Sequence, residues 1–165
     1  MKTKVAIITV SDKGAAGERE DLSGPALKKL SEEKGLDVVF YKIVPDEIVG
    51  LVSTLLKIAD ERQADLILTT GGTGFSKRDV TPEATRAVVQ REVPGIPEMI
   101  RAESAKITNR AYLSRGIAGI RGESLIINLP GSPKGASEAF EIVYPILSHG
   151  LEILSGSATE CATTS

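Results

Sequence analysis

Apolar residues along the chain fall into two alternating patterns. Short unbroken runs at 5–10, 66–68 and 125–129 are aliphatic or β-branched and lack the alternation of a half-exposed strand, so each predicts a strand covered on both faces. A further strand is expected at 38–44. Between these runs, apolar residues recur three and four positions apart. Leu27 and Leu30 mark a helix opened by Pro25 and closed near Gly35, after a polar loop at 11–24. Ile48, Leu51, Val52, Leu55, Leu56 and Ala59 mark a second helix ending near Arg62. Ala84, Ala87, Val88 and Val89 predict a third, from Thr81 and Pro82 to about Glu92. Pro94, Gly95 and Pro97 interrupt the pattern, and 96–107 predicts a helix with Met99, Ile100 and Ala102 inward. Segments 112–120 and 124–129 read as a hairpin turning at Arg121-Gly122-Glu123. A last helix, capped by Ser132 with Pro133 in its first turn, carries Ala139, Phe140, Ile142, Val143, Ile146 and Leu147, with a bend expected at Pro145. Residues 155–165 have no periodicity and are expected to be a disordered tail.

The order β-α-β-α-β-α, then a hairpin and a helix, predicts a single α/β domain over residues 1–154. Its architecture is a three-layer α/β/α sandwich with a mostly parallel sheet and one antiparallel strand. Ligands of such sheets lie beyond the carboxyl ends of the strands. Loops 11–24, 69–81 and 130–135 gather there, together with Asp46.

Composition narrows the function classes. The chain has 165 residues and is 41% hydrophobic, but only 4% aromatic with no Trp, so its core is expected to be aliphatic. A net charge of −2 gives no support to nucleic-acid binding, which needs a basic surface. The one cysteine, Cys161, allows neither an internal disulfide nor a cysteine cluster for zinc, which fits a reducing compartment. No apolar run is long enough to span a bilayer or to form a signal-peptide core, and a soluble cytoplasmic protein is expected.

The chemistry concentrates at 65–82. Gly71, Gly72 and Gly74 permit positive φ and close approach of a ligand, Thr69, Thr70 and Thr73 add hydroxyls, and Lys77, Arg78 and Asp79 follow. The pattern is neither the G-x-G-x-x-G of dinucleotide folds nor the Walker loop. Taken alone, a tight turn and a phosphate site explain it equally well. Thr81 already serves as a helix cap, so Asp79 is free to hold a metal or orient a reacting group. Asp46, between Pro45 and an amphipathic helix, reads by spacing as a helix cap. Ser11-Asp12 fits an Asx turn and a ligand contact equally well. The start of the last helix, with Ser132 and Lys134, suits an anion. His149 is placed late in a helix, away from chemistry. No Ser-His-Asp set is present. Two carboxylates beside phosphate-binding loops suit metal-assisted phosphoryl or nucleotidyl transfer.

Several motifs then fall into a familiar order: Thr-Val-Ser-Asp (9–12), Tyr-Lys-Ile-Val-Pro-Asp-Glu (41–47), Leu-Thr-Thr-Gly-Gly-Thr-Gly-Phe (68–75), Arg-Asp-Val-Thr-Pro-Glu-Ala-Thr (78–85), Leu-Ser-Arg (113–115), Ile-Arg-Gly (120–122) and Asn-Leu-Pro-Gly-Ser-Pro-Lys-Gly (128–135). Together they resemble the molybdopterin adenylyltransferases, including the bacterial Mog and MoaB types and the G domains of gephyrin and the plant cofactor-biosynthesis protein. The resemblance covers about residues 4–154. It implies a Mg²⁺-dependent transfer of AMP from ATP to the terminal phosphate of molybdopterin, releasing pyrophosphate, ahead of metal insertion by a separate protein. It also implies a homotrimer. By position it assigns catalysis and metal binding to Asp46 and Asp79. Substrate contacts fall to Ser11, Asp12, Thr70, Gly71, Gly72, Thr73, Gly74, Ser114, Asn128, Pro130, Gly131 and Ser132. A pterin-binding paralogue without turnover and a nucleotide pyrophosphatase of the same fold are the competing classes. The loop at 13–20 and Ser76-Lys77 depart from the family pattern without removing a motif residue.

Overall fold

The computed structural model describes residues 1–157. Residues 158–165, with Cys161 and most of the expected tail, lie outside the described residues. The strands are β1 (Lys4–Val10), β2 (Asp37–Val44), β3 (Leu66–Thr70), β4 (Arg91–Glu92), β5 (Ala118–Arg121) and β6 (Ser124–Leu129). The helices are α1 (Asp12–Ala15), α2 (Ser23–Glu33), α3 (Ile48–Asp60), α4 (Thr81–Val88), α5 (Gly95–Ser104) and α6 (Pro133–Leu154). One six-stranded sheet has the order β2-β1-β3-β6-β5-β4. Its β2, β1, β3 and β6 pair in parallel. Only β5 runs against the rest, antiparallel to both of its neighbours. The expected three-layer architecture is therefore observed.

The sequence runs explain the layers. The central strands β1, β3 and β6 are buried along nearly their whole length, as their unbroken apolar runs require. Alternate residues serve opposite faces. Val5, Ile7, Leu66, Leu68, Leu125 and Ile127 meet α2, α5 and α6 through Leu27, Ile100, Phe140 and Val143. Ala6, Ile8, Ile67 and Ile126 meet α3 and α4 through Leu51, Leu55, Ala84 and Val88. The core is aliphatic but for Phe140, as the composition predicts.

Several local expectations are corrected. The 11–24 loop contains the short α1, and α2 begins at Ser23 rather than Pro25. Thr81 is the first residue of α4 and does not cap it; its hydroxyl instead donates to the Gly71 carbonyl at 2.9 Å. Helix α4 stops at Val88, and Arg91–Glu92 form a strand because they can pair with Ile120 and Gly119. Residues Asn109–Leu113 form a 3₁₀ turn, so the hairpin strand shrinks to Ala118–Arg121. The turn of that hairpin is where the sequence puts it, with Gly122 at φ 56°. In α5 the inward residues are Ile96, Pro97 and Ile100, while Ala102 is exposed. Helix α6 runs on through Pro145.

Candidate active site

The ends of β1, β2, β3 and β6 open onto a cavity of about 510 Å³. Thr9, Val10 and Ser11 line it from the end of β1 and just beyond, Asp46 from beyond β2, Thr70, Gly71 and Gly72 from the end of β3 and the loop after it, and Gly131, Ser132 and Pro133 from the start of α6. Asp79 and the segment 19–23 complete the wall. The sheet positions all of these groups, because the strand ends stand in register: Val10 lies beside Val44, and Thr70 beside Thr9 and Leu129.

The glycine loop is shaped by contacts that exclude a side chain. Gly71 has φ 101°, and a Cβ there would run into the Val10 carbonyl oxygen. Its N–H donates to Leu129 O at 3.2 Å, and the Thr70 hydroxyl donates to Pro130 O at 2.6 Å. A Cβ on Gly131 would lie 3.2 Å from Gly71 Cα, so the loops after β3 and β6 touch. Gly72, at φ 67°, would press a Cβ against Thr81 and come within 3.0 Å of Asp46 Oδ1. Among the described residues the N–H groups of Gly72, Gly131 and Ser132 have no acceptor. All three residues line the cavity, which makes them donors for an anion, beside the N-terminal end of α6.

Asp46 is not a helix cap. Glu47 occupies that position without a side-chain bond, while Asp46 Oδ2 accepts from the Asp12 N–H at 2.9 Å. In return the Asp46 N–H donates to Asp12 Oδ1, also at 2.9 Å. Burial pushes the Asp46 carboxyl above the usual carboxylate range, and the charges of Asp12 and Asp79 push the same way, against the Asp12 N–H bond and Arg78. Asp12 moves oppositely. Hydrogen bonds from Arg78, at 3.0 Å from both Nε and Nη2, hold its carboxyl below that range. Asp79 closes its own turn: Ser76 N–H donates to Asp79 Oδ2 and Asp79 N–H to Ser76 O, both at 3.0 Å. Asp79 Oδ2 would sit 2.9 Å from a Cβ on Gly74. The two carboxylates therefore flank one glycine loop.

Not every residue named from sequence faces the cavity. Asn128 is buried, with Nδ2 donating to Thr69 Oγ1 (3.0 Å) and Thr85 Oγ1 (2.9 Å) and Oδ1 accepting from Ile117 N–H (3.2 Å). Thr73, Gly74, Ser114 and Pro130 do not line the cavity, and Asp12 meets Asp46 without lining it. Arg115 braces the loop that carries Asp79: its backbone N–H donates to Thr73 O (2.9 Å), Nε to Gly74 O (2.8 Å) and Nη2 to Asp79 O (2.9 Å), and it pairs with Glu83. Lys134 points to Glu138 at 3.9 Å, and His149 is exposed late in α6.

Sequence reasoning missed Asp21. Its Oδ2 accepts from the Thr9 hydroxyl at 2.7 Å and from the Tyr41 hydroxyl. Its Oδ1 accepts the N–H groups of Ser23 (3.1 Å) and Gly24 (3.2 Å) that open α2. An Asp two residues before a Ser-Gly-Pro helix start is the available signal. Burial and this carboxylate push the Tyr41 phenol up to about 12.

The model of a family described as "probable molybdopterin binding domain" matches residues 6–149. The chain is 43% identical over 155 residues to the molybdopterin adenylyltransferase of Helicobacter pylori strain 26695, covering 93% of this chain and 88% of that protein. It is 40% identical over 141 residues to the molybdopterin adenylyltransferase of Escherichia coli K12, covering 84% and 72%. Among solved structures it is similar to the molybdopterin biosynthesis enzyme MoaB of Thermus thermophilus, with a TM-score of 0.89, 49% identity, and 93% and 97% of the two chains covered.

Proposed function

The chain belongs to this molybdopterin-binding family, and on that premise we propose that it is a molybdopterin adenylyltransferase of molybdenum cofactor biosynthesis. The observation that carries the reading is the placement of Asp46 and Asp79 on one cavity with the unpaired N–H groups of Gly72, Gly131 and Ser132. Such a site offers donors to phosphate oxygens and two carboxylates at the reacting end.

The reaction joins two substrates. An oxygen of the terminal phosphate of molybdopterin attacks the α-phosphorus of ATP. The bond from that phosphorus to the oxygen bridging the β-phosphate breaks, and its electron pair leaves with pyrophosphate. A phosphate monoester has a second pKa of about 6, so the attacking group is already largely dianionic at neutral pH. A general base is not required, and no histidine lines the cavity. The work left to the protein is positioning and charge stabilisation. The glycine loop and the α6 start hold phosphate oxygens, and Arg115 fixes the loop through Gly74 and Asp79.

The donor set also fits Mg²⁺. Among the described residues no group of three or more His, Cys, Asp or Glu could enclose a metal. Mg²⁺ does not need one, since it is held by one or two carboxylates together with water and substrate phosphates. Asp46 Oδ1 and Asp79 Oδ1 accept no hydrogen bond among the described residues, which leaves an oxygen of each carboxylate open to a cation. Asp46 and Asp79 would hold Mg²⁺, which supplies neutralisation of the phosphate charge when bound.

On the same reading the product passes to a separate metal-insertion protein and the enzyme works in the cytoplasm. No helix among the described residues is long and apolar enough to cross a membrane. A homotrimer is the assembly expected on this reading. The test is incubation with molybdopterin, ATP and Mg²⁺. Adenylylated pterin and pyrophosphate are expected, and chelation by EDTA should stop both. Asp79→Asn should lose turnover and keep the fold. Pterin binding without pyrophosphate release would point instead to a paralogue that only holds the pterin.

A further inference from the structure

Two charged residues outside the cavity lining connect the two carboxylates that line it. Asp12 gives its N–H to Asp46 Oδ2 and takes the Asp46 N–H on its own Oδ1, so Asp12 and the carboxylate of Asp46 are held in a closed ring of two hydrogen bonds. The same Asp12 carboxylate receives both arms of the Arg78 guanidinium at 3.0 Å. Arg78 immediately precedes Asp79 and also stands 3.7 Å from Glu47, the residue after Asp46. On its other side the Asp79 turn is held by Arg115. The ends of β1 and β2 and the loop after β3 are thereby tied at one point, one residue from each functional carboxylate.

We infer that Asp12 and Arg78 are a positioning pair that sets the spacing and direction of the Asp46 and Asp79 carboxylates, rather than ligand contacts in their own right. The inference rests on the adenylyltransferase reading for its kinetic consequence only. Two features argue against a purely stabilising role. The side chains are 40% and 58% exposed, and ion pairs so exposed add little to stability. The bidentate arrangement, by contrast, fixes direction, which a point charge does not. Asp12 is also absent from the cavity wall although its neighbour Ser11 is part of it.

The experiment compares wild type with Asp12→Asn, Arg78→Met, Arg78→Lys and the double variant Asp12→Asn/Arg78→Met. Small displacements of a positioned group cost up to about 100-fold in rate, so kcat should fall about 10- to 100-fold in Asp12→Asn and Arg78→Met. KM for ATP and for molybdopterin should stay within about 3-fold, and Tm within about 2 °C, since the pair is exposed. Arg78→Lys keeps the charge without the fork and should lie between wild type and Arg78→Met. The double variant should be no worse than the worse single variant, as for two groups acting as a unit. A second readout needs no turnover: Mn²⁺ binding followed by electron paramagnetic resonance should weaken in Asp12→Asn and in Arg78→Met. Unchanged kcat and unchanged Mn²⁺ affinity in Asp12→Asn and Arg78→Met would overturn the proposal. So would a rise in KM at constant kcat, which would make Asp12 a substrate contact, or a loss of activity that only follows a loss of Tm. Wild-type protein without turnover would overturn the adenylyltransferase reading, and the Mn²⁺ series would still decide the role of the pair.

Discussion

Asn128→Ala separates the sequence-derived role of this residue from the one its contacts give it. Motif position makes Asn128 a substrate contact. In the fold it is 4% exposed and makes three hydrogen bonds, to Thr69 on β3, Thr85 on α4 and the Ile117 N–H before β5. It pins a helix and two neighbouring strand ends to β6. Each bond contributes about 1 kcal/mol net, so truncation should cost about 3 kcal/mol. Truncation leaves the Ile117 N–H without its acceptor and the buried Thr69 and Thr85 hydroxyls without their donor, which puts the loss nearer that figure than below it. In a chain of this size each kcal/mol shifts Tm by about 2–4 °C, giving an expected drop of about 6–12 °C. Urea unfolding followed by circular dichroism measures the change, with the slope m expected to stay constant. Below the transition, pterin and ATP affinities should hold within about 3-fold, since three bonds to protein leave the amide no strong donor for a ligand. An unchanged midpoint together with lost pterin or ATP binding would refute the structural role and return Asn128 to the substrate.

Three further outcomes are expected. Gly71→Ala forces a Cβ into the Val10 carbonyl oxygen at φ 101°, so stability should fall by more than about 1 kcal/mol and turnover should fall with it; a soluble variant of wild-type stability and rate would contradict the close approach of these strand ends. Tyr41 should ionise near 12 in an ultraviolet titration, and Tyr41→Phe should remove that step. Because its folded pKa is raised, the stability it contributes is fully present below the free tyrosine value of about 10 and is lost as pH rises from there to about 12. Arg115→Ala removes donors to Gly74 O and Asp79 O, and hydrogen exchange should accelerate at the Asp79 amide while the amides of β3 stay protected.

The layers were legible because burial on two faces leaves a plain trace. The runs at 5–10, 66–68 and 125–129 have no polar alternation, and these are the strands covered by helices on both sides. The elements misread from sequence are those whose state depends on a partner. Arg91 and Glu92 continue a helical pattern locally, but pairing with β5 makes them a strand. Residues 112 and 113 are apolar enough for a strand, yet no neighbouring strand reaches them, and they complete a 3₁₀ turn. Thr81 has the side chain of a cap, but its hydroxyl finds a carbonyl across the glycine loop and the helix starts without it.

The same distinction decides the candidate site. Gly71, Gly72 and Asp79 belong to one continuous stretch, and local pattern was enough to single them out. Asp46 was not separable from a cap, because a cap and a clamp require the same residue at the same spacing before a helix; what differs is the acceptor's partner, the Asp12 N–H, 34 residues away. Parallel register supplies the missing information. Val10 pairs with Val44, so counting two residues past each partner brings Asp12 beside Asp46. Thr9 pairs with Thr70 and Thr70 with Leu129, so the glycine loop and the start of α6 arrive at the same edge. Once β1, β2, β3 and β6 are known to be parallel neighbours, residues at matching distances beyond their ends must face one another. Asp21 escapes even this rule. It sits in a connection rather than at a strand end, and only the convergence of Thr9, Tyr41 and the first amides of α2 on its carboxylate reveals it.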